Sequence, residues 1–219
     1  MKKVDKLVSK NQPEGWFATV TNECRQYPIH LVDIKDDELV VDIGANVGGF
    51  YEAWKNRFQK WIAVEASKWN CELYKQNTGR DVEIQKAVWG KSGEKLKLQS
   101  YKVDGNDTES GSFGVTEFVS DKNGHGWQGD WEEVETISFE DLFGETEIGL
   151  LKIDCEGAEW DFLMGKDLSK IKWITGEFHN FLGGVKHKKL FTHISNTHEE
   201  VFSDGNGVDS HYVKLWKRK

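Results

Sequence analysis

A chain of 219 residues is long enough for one well-buried domain and short for two. With 37% hydrophobic and 30% charged residues and only two prolines, it has the composition of an ordinary folded domain, without repeats or low-complexity tracts. A formal net charge of −8 argues against nucleic acid as a partner, because phosphate binding needs a concentrated basic surface and no Lys/Arg block occurs before the tail from Lys214 to Lys219.

The start, Met1-Lys2-Lys3-Val4-Asp5-Lys6, lacks the apolar core of a signal peptide, and no apolar span approaches membrane length. The expected setting is cytoplasmic, with no membrane partner. Cys24, Cys71 and Cys155 are an odd number without a C-x-x-C pair, which favours neither a disulfide framework nor a zinc knuckle.

Residues 1–37 are expected to form a helical or irregular N-terminal cover, and residues 38–219 the main domain. From about residue 38 to 180, strand-like apolar runs alternate with helical stretches, the pattern of a parallel sheet covered by helices. Strands are expected at 39–43, 61–65, 82–86, 149–153 and 172–177, and helices at 49–58, 67–77 and 156–165. Residues 90–135 read as an irregular, polar, glycine-rich insertion placed over the carboxyl ends of the strands. Near the end, Glu200-Val201-Phe202 and the run from His211 to Trp216 read as an antiparallel pair joined by the turn-rich Ser203 to Gly207. The fold class is therefore α/β: a mostly parallel sheet with helices on both faces and a C-terminal antiparallel strand pair.

In an open parallel sheet, ligands bind beyond the carboxyl ends of the strands. Acidic residues stand at four such ends: Asp42, Glu65, Asp154 and Glu177. A carboxylate there is desolvated unless something binds it, so a cationic or hydroxyl-rich ligand is its natural partner. The segment Asp42-Ile43-Gly44-Ala45-Asn46-Val47-Gly48-Gly49 turns a buried strand into a glycine-bearing loop and a helix. Its glycine spacing does not fit the G-x-G-x-x-G of dinucleotide enzymes. It resembles the first motif of S-adenosylmethionine-dependent methyltransferases, D-x-G-x-x-x-G. In that reading Gly44, Ala45, Asn46, Gly48 and Gly49 let the backbone approach the methionine part of the cofactor, and Asp42 organises the loop or meets the ammonium group. Glu65, about 20 residues beyond the loop, suits the ribose hydroxyls. Ala87, after the third expected strand, completes the cofactor set.

A second motif is the run Leu150-Leu151-Lys152-Ile153-Asp154-Cys155-Glu156-Gly157-Ala158-Glu159. Together with the glycine loop, Val64-Glu65-Ala66, the run from Thr136 to Leu142 and Gly176-Glu177-Phe178-His179, it resembles the FkbM-type methyltransferase family over about residues 38 to 180. Phe139 and Glu140 depart from the leucine and aspartate usual there; both changes are conservative. The resemblance implies a Rossmann-like class I methyltransferase that moves a methyl group from S-adenosylmethionine to a hydroxyl of a small molecule, sugar or glycan.

Methyl transfer from a sulfonium needs three atoms nearly in line and an acceptor oxygen able to lose its proton. Asp154 and His179, with Glu177 beside them, are the candidate catalytic residues. A lower-ranked arrangement gathers Asp154, Glu177 and His179 around a divalent metal, since oxygen and imidazole donors suit such ions. Trp127, Trp131 and Ser112, in the insertion, are candidate acceptor contacts because indole faces stack on sugar rings. The competing readings are an NAD-dependent oxidoreductase, disfavoured by the glycine spacing, and a catalytically silent binding module. The segments expected to select the acceptor carry no recognisable motif.

Overall fold

The computed structural model describes residues 16–100, 113–115, 131–179, 184–204 and 211–219. After helix α1 (Trp16–Cys24) and a 3-10 turn at Ile29–Leu31, the strands and helices alternate: β1 (Leu39–Ile43), α2 (Gly49–Trp54), β2 (Lys60–Val64) and α3 (Lys68–Thr78). Then come the two-residue β3 (Ala87–Val88), β4 (Lys95–Ser100), β5 (Phe113–Val115) and β6 (Trp131–Ile137). The remainder is α4 (Phe139–Phe143), β7 (Ile148–Ile153), α5 (Glu159–Leu163), β8 (Ile171–His179), α6 (Gly184–Ser195), β9 (His198–Asp204) and β10 (His211–Arg218).

Six strands form the main sheet in the order β2-β1-β7-β8-β10-β9. The first four are parallel, and β10 and β9 run antiparallel at the far edge. Every residue of β7 is buried, as expected of a central parallel strand covered on both faces. Alternation along the strands sorts the apolar side chains onto two faces. Val41, Ile43, Leu151, Ile153 and Ile174 join one core with Phe162, Leu190 and Trp216. Val40, Leu150 and Trp173 point the other way, into a core with Tyr27, Ile29, Phe50 and Trp61. The described residues before β1 thus cover the second core, docked on it by Tyr27, Ile29 and Val32. At about 25 cal/mol per Å² of buried apolar surface, such two-sided burial is the main force holding the sheet between its layers.

Local signals set several boundaries. Ser67 caps α3 by accepting the Asn70 N–H, and Gly79 ends it in the left-handed conformation. Ser138 caps α4 in the same way through Asp141. The helices expected at 49–58 and 156–165 are shorter than their periodic patterns, because Cys155 to Ala158 form a turn before α5 and the chain leaves α2 after Trp54.

Two expectations need correction. Residues 82–86 do not form a strand: only Ile84 bridges Val64. The Ala63 N–H is taken by the Glu83 carboxylate instead of by a backbone carbonyl, so the ladder does not continue. Residues 90–135 are not irregular where described: β4 and β6 pair antiparallel, and with β3 and β5 they make a second sheet in the order β3-β6-β4-β5. Lys95 and Lys97 are exposed while Leu98 is buried, and Glu133 and Glu135 alternate with buried Val134 and Thr136, the period of a half-buried strand.

No helix among the described residues is long and apolar enough to cross a membrane, and all three cysteines are free thiols.

Candidate active site

The chain passes from β1 to β2 on one side of the sheet and later places β7 on the other side of β1. The carboxyl ends of β1 and β7 therefore mark a topological switch point, where a parallel sheet opens a crevice. The two loops touch there. A Cβ added to Gly44, whose φ is +70°, would lie 1.7 Å from the Asp154 carbonyl oxygen. Glycine is needed at 44 first because the loop after β1 passes against the end of β7.

A narrow cleft of about 80 Å³ lies on one side of this crossing, lined by Gly44, Asn46, Glu65, Ala66, Ala87, Val88 and Leu98. On the other side is a cavity of about 490 Å³, lined by the cover (Glu23, Cys24, Gln26, Tyr27), the glycine loop (Gly44, Ala45, Asn46, Gly49), and Phe202, Asp204 and Val213 of the terminal hairpin. The larger cavity falls within the usual range for small-ligand sites. Gly44, Asn46, Asp154 and Glu156 border both spaces, so the two are compartments of one site.

The loop itself is held by Glu65. One carboxylate oxygen accepts the Asn46 N–H at 2.8 Å and the other accepts the Ser67 N–H at 2.9 Å. Burial pushes the Glu65 carboxyl up, opposed by these bonds and that of Asn70. Its four lone-pair sites leave capacity toward the cleft it lines. Asn46 stands in the left-handed region at φ 50°, which asparagine tolerates better than other side chains, and its own Oδ1 accepts the Val47 N–H.

Asp42 is buried and lines neither compartment, which corrects the expectation that it could meet the ligand. The parallel register sets it directly opposite Lys152, whose Nζ lies 3.1 Å from Asp42 Oδ1 and 3.8 Å from Asp154 Oδ2. The ammonium also donates to the Gly44 carbonyl at 2.9 Å. Burial opposes its charge, but Asp42 and Asp154 hold Lys152 well above the usual lysine range. The sequence signal for this role is a lone lysine within an apolar strand; that it faces Asp42 depends on the strand register.

Gly48 also lines neither compartment; at φ +94° it passes close to Tyr74 and Thr78 of α3. Ala45, Asn46, Gly49 and Ala87 do reach the site.

Asp154 follows β7 and accepts the Tyr27 hydroxyl at 3.3 Å. Burial, with Glu177 nearby, pushes its carboxyl up to about 6 against the pull of Lys152. Glu177, on β8, lines the larger cavity. His179 lines neither compartment. Its Nδ1 lies 3.3 Å from Glu159, and its Nε2 lies 3.4 Å from Glu156 and 3.5 Å from Glu177. Burial opposes the imidazolium, but bonds to Glu159 and Glu177 hold its pKa well above the ordinary histidine value. His179 thus meets the site through Glu156 and Glu177, the carboxylates that its Nε2 faces. Glu159, buried in the first turn of α5, also accepts the Cys155 and Gly157 N–H groups and so fixes the turn that carries Glu156.

Trp127 and Ser112 lie outside the described residues, and of Trp131 only the backbone, opening β6 opposite Gln99, is described. The described wall of the larger cavity comes in part from the residues before β1 and from the terminal strands.

The Methyltransferase FkbM domain matches residues 42–203. No curated protein matches the sequence significantly. Among solved structures, the chain is similar to TrmK of M. capricolum in complex with S-adenosyl-homocysteine, at 12% identity and a TM-score of 0.47, covering 91% of this chain and 67% of that one. It is similar also to the Thermoplasma acidophilum protein 1320, at 8% identity and a TM-score of 0.46 over 93% and 98% of the two chains. A dimethyladenosine transferase from Plasmodium falciparum aligns at 10% identity and a TM-score of 0.44, over 95% and 62%. The family match spans most of the chain, including both motifs and the ends of β1 and β7: the chain belongs to the FkbM methyltransferase family and is an S-adenosylmethionine-dependent methyltransferase.

Proposed function

We propose that the enzyme methylates a hydroxyl of an uncharged polyhydroxylated small molecule or sugar. The observation that carries this reading is the charge of the larger cavity. Glu23, Asp154, Glu156, Glu177 and Asp204 line it, and Lys152, the one cation among its described lining residues, is engaged by Asp42. Carboxylates accept hydrogen bonds from hydroxyls. The same field repels phosphate, which disfavours a nucleic-acid acceptor.

In this reading Glu65 would hold the ribose hydroxyls of S-adenosylmethionine at the mouth of the narrow cleft, and Ala66, Ala87 and Leu98 would flank its base. Asn46 and the glycine loop would hold its methionine half, and the cofactor would supply the methyl group to the larger cavity beside Asp154. Asp154 and Glu177 hold the acceptor hydroxyl and receive its proton. The oxygen lone pair forms the new C–O bond while the S–C bond breaks, its electrons staying on sulfur to leave S-adenosyl-homocysteine. Positioning in line supplies most of the rate. Neighbouring compartments that meet at the transferring methyl are what such a displacement requires.

Calorimetry on the full chain should show S-adenosyl-homocysteine binding and no NAD binding. A screen with the methyl-labelled donor over sugars, sugar conjugates, polyols and RNA should place label on a hydroxyl compound. Label on RNA, or on nitrogen, would overturn the acceptor reading while leaving the cofactor reading intact.

A further inference from the structure

The turn after β7 and the end of β8 bring together an imidazole and several carboxylates in an arrangement that the methyl-transfer geometry alone does not require. His179 Nε2 lies 3.4 Å from Glu156 Oε2 and 3.5 Å from Glu177 Oε1. One donor atom each from Asp154, Glu156 and His179 lie within 4.8 Å of one another. Around an ion with bonds of about 2.1 Å, neighbouring donors are separated by about 3.0 Å in an octahedron and about 3.4 Å in a tetrahedron. The His179–Glu156 separation falls at that scale, and an Asp154 donor lies within 4.8 Å of both, close enough for a small rotamer change to bring it to an ion held between them.

On the far side of the imidazole a carboxylate holds the ring. Glu159 Oε1 engages Nδ1 at 3.3 Å and is itself held by the Cys155 and Gly157 N–H groups at 3.1 and 3.2 Å. A carboxylate on Nδ1 fixes the ring so that Nε2 faces the cluster, the carboxylate–histidine–metal pattern. Charge points the same way. Asp42, Asp154, Glu156, Glu159 and Glu177 place five carboxylates around Lys152 and His179, a surplus of anions in a largely buried setting. Glu156 is held at φ 53°, so its side chain leaves the turn on the side of His179.

We propose that His179 Nε2, Glu156 and Asp154 bind one divalent cation at the boundary of the two compartments, oriented by Glu159. The inference rests on the hydroxyl-methylation reading. The ion takes the place on Nε2 that a proton holds in its absence. It would bind the acceptor hydroxyl oxygen and lower its pKa, as a Lewis acid does; Asp154 then serves the ion, and of the two proton acceptors Glu177 alone receives the released proton. The mixed imidazole and carboxylate set suits manganese or zinc better than a softer ion.

The test uses the full chain stripped with a chelator and titrated with Mn²⁺ alone, bound metal being counted by electron paramagnetic resonance. S-adenosyl-homocysteine binding is followed in parallel. One bound Mn²⁺ per chain is expected, weakened at least tenfold in Glu156→Gln and in His179→Gln. In Glu159→Gln the loss should be between about tenfold and a hundredfold, as for a residue that orients a ligand. Should His179→Gln fail to fold, Glu156→Gln, whose side chain reaches solvent, carries the test. Absence of Mn²⁺ binding at millimolar concentration, or binding equal in the variants and the parent, overturns the proposal. So does a site filled by the donor's own sulfonium, read as S-adenosylmethionine binding far more tightly than S-adenosyl-homocysteine while Mn²⁺ does not bind. If S-adenosyl-homocysteine also fails to bind, the cofactor reading itself has failed, and the two failures are distinct.

Discussion

The two compartments are built by different means. The narrow cleft proposed for the cofactor is made from the ends of neighbouring parallel strands, and its carboxylate is tied to backbone, Glu65 to Asn46 and Ser67. Under the glycine loop that borders both compartments, Lys152 is tied to Asp42 and Gly44. The larger cavity, proposed for the acceptor, is assembled from segments far apart in the chain: the cover at Glu23 and Tyr27, the end of β8 at Glu177, and the hairpin at Phe202 and Asp204. The same carboxylate serves opposite ends in the two settings. Asp42 is sealed beneath the loop and matched by a cation, whereas Asp154, one strand over, is 27% exposed and borders both spaces.

If the cofactor side is held by charge matching, breaking it should be severe. Lys152→Met leaves Asp42 buried without its partner, and losing one member of a buried pair costs about 3–5 kcal/mol. Urea unfolding should show that loss together with loss of S-adenosyl-homocysteine binding, and adding Asp42→Asn should restore much of the stability. A Lys152→Met protein as stable as the parent would mean that the strand ends are not held by this pair.

The close passage of the two loops gives the next effect. Gly44→Ala forces a methyl group into the Asp154 carbonyl and should cost about 3 kcal/mol, the upper part of the range for overpacking. Gly79→Ala is the control: its φ of +74° is equally left-handed, but nothing lies within 4 Å of the added Cβ, so about 1 kcal/mol is expected from backbone strain alone. Equal losses at both positions would remove the steric part of the argument.

On the acceptor side the expected changes are kinetic. Glu177→Gln should lower kcat about a hundredfold, the smaller end of what a proton acceptor contributes, with calorimetric S-adenosyl-homocysteine affinity held within a few-fold. Phe202→Ala and Asp204→Asn should raise the acceptor's KM and leave donor binding alone. If the hairpin variants weaken the donor instead, the division between compartments is wrong.

Much of the cofactor side was legible in the sequence because short-range rules write it. A β-branched strand, a glycine turn and a capped helix are local patterns, and Asp42, Glu65, Asp154 and Glu177 stand where strand periodicity ends. Placement of Asp42 was not legible in the same way, because whether a strand-end carboxylate faces a cleft or a neighbouring strand depends on register, here the pairing with Lys152. The strand expected at 82–86 failed for a related reason: one side chain, Glu83, replaced a backbone partner. Tyr27, Phe202 and Asp204 reach the cavity through chain packing over long sequence separations, and no local period encodes that. The alternation in Lys95–Ser100 and Trp131–Ile137 was present to be read, but it was overshadowed by the glycines around it.

The smallest effect tests how the hairpin is anchored away from the site. His198, fully buried at the start of β9, engages the Ile171 carbonyl at 2.9 Å and the Thr197 hydroxyl at 2.8 Å. Burial pulls its pKa below the ordinary histidine value, so the folded chain keeps the ring neutral where the unfolded chain would protonate it. Below the unfolded pKa of about 6.5 the unfolded state binds more protons, so this contribution is complete above that value and is lost as pH falls through the folded pKa. The stability advantage of the parent over His198→Gln, read from urea midpoints, should therefore shrink between pH 7.5 and 5. An advantage constant across that window would show that the ring anchors β9 by packing, with its proton playing no part. Methyl transfer at neutral pH should change little in the variant, because the acceptor-side contacts at Phe202 and Asp204 lie several residues further along the same strand.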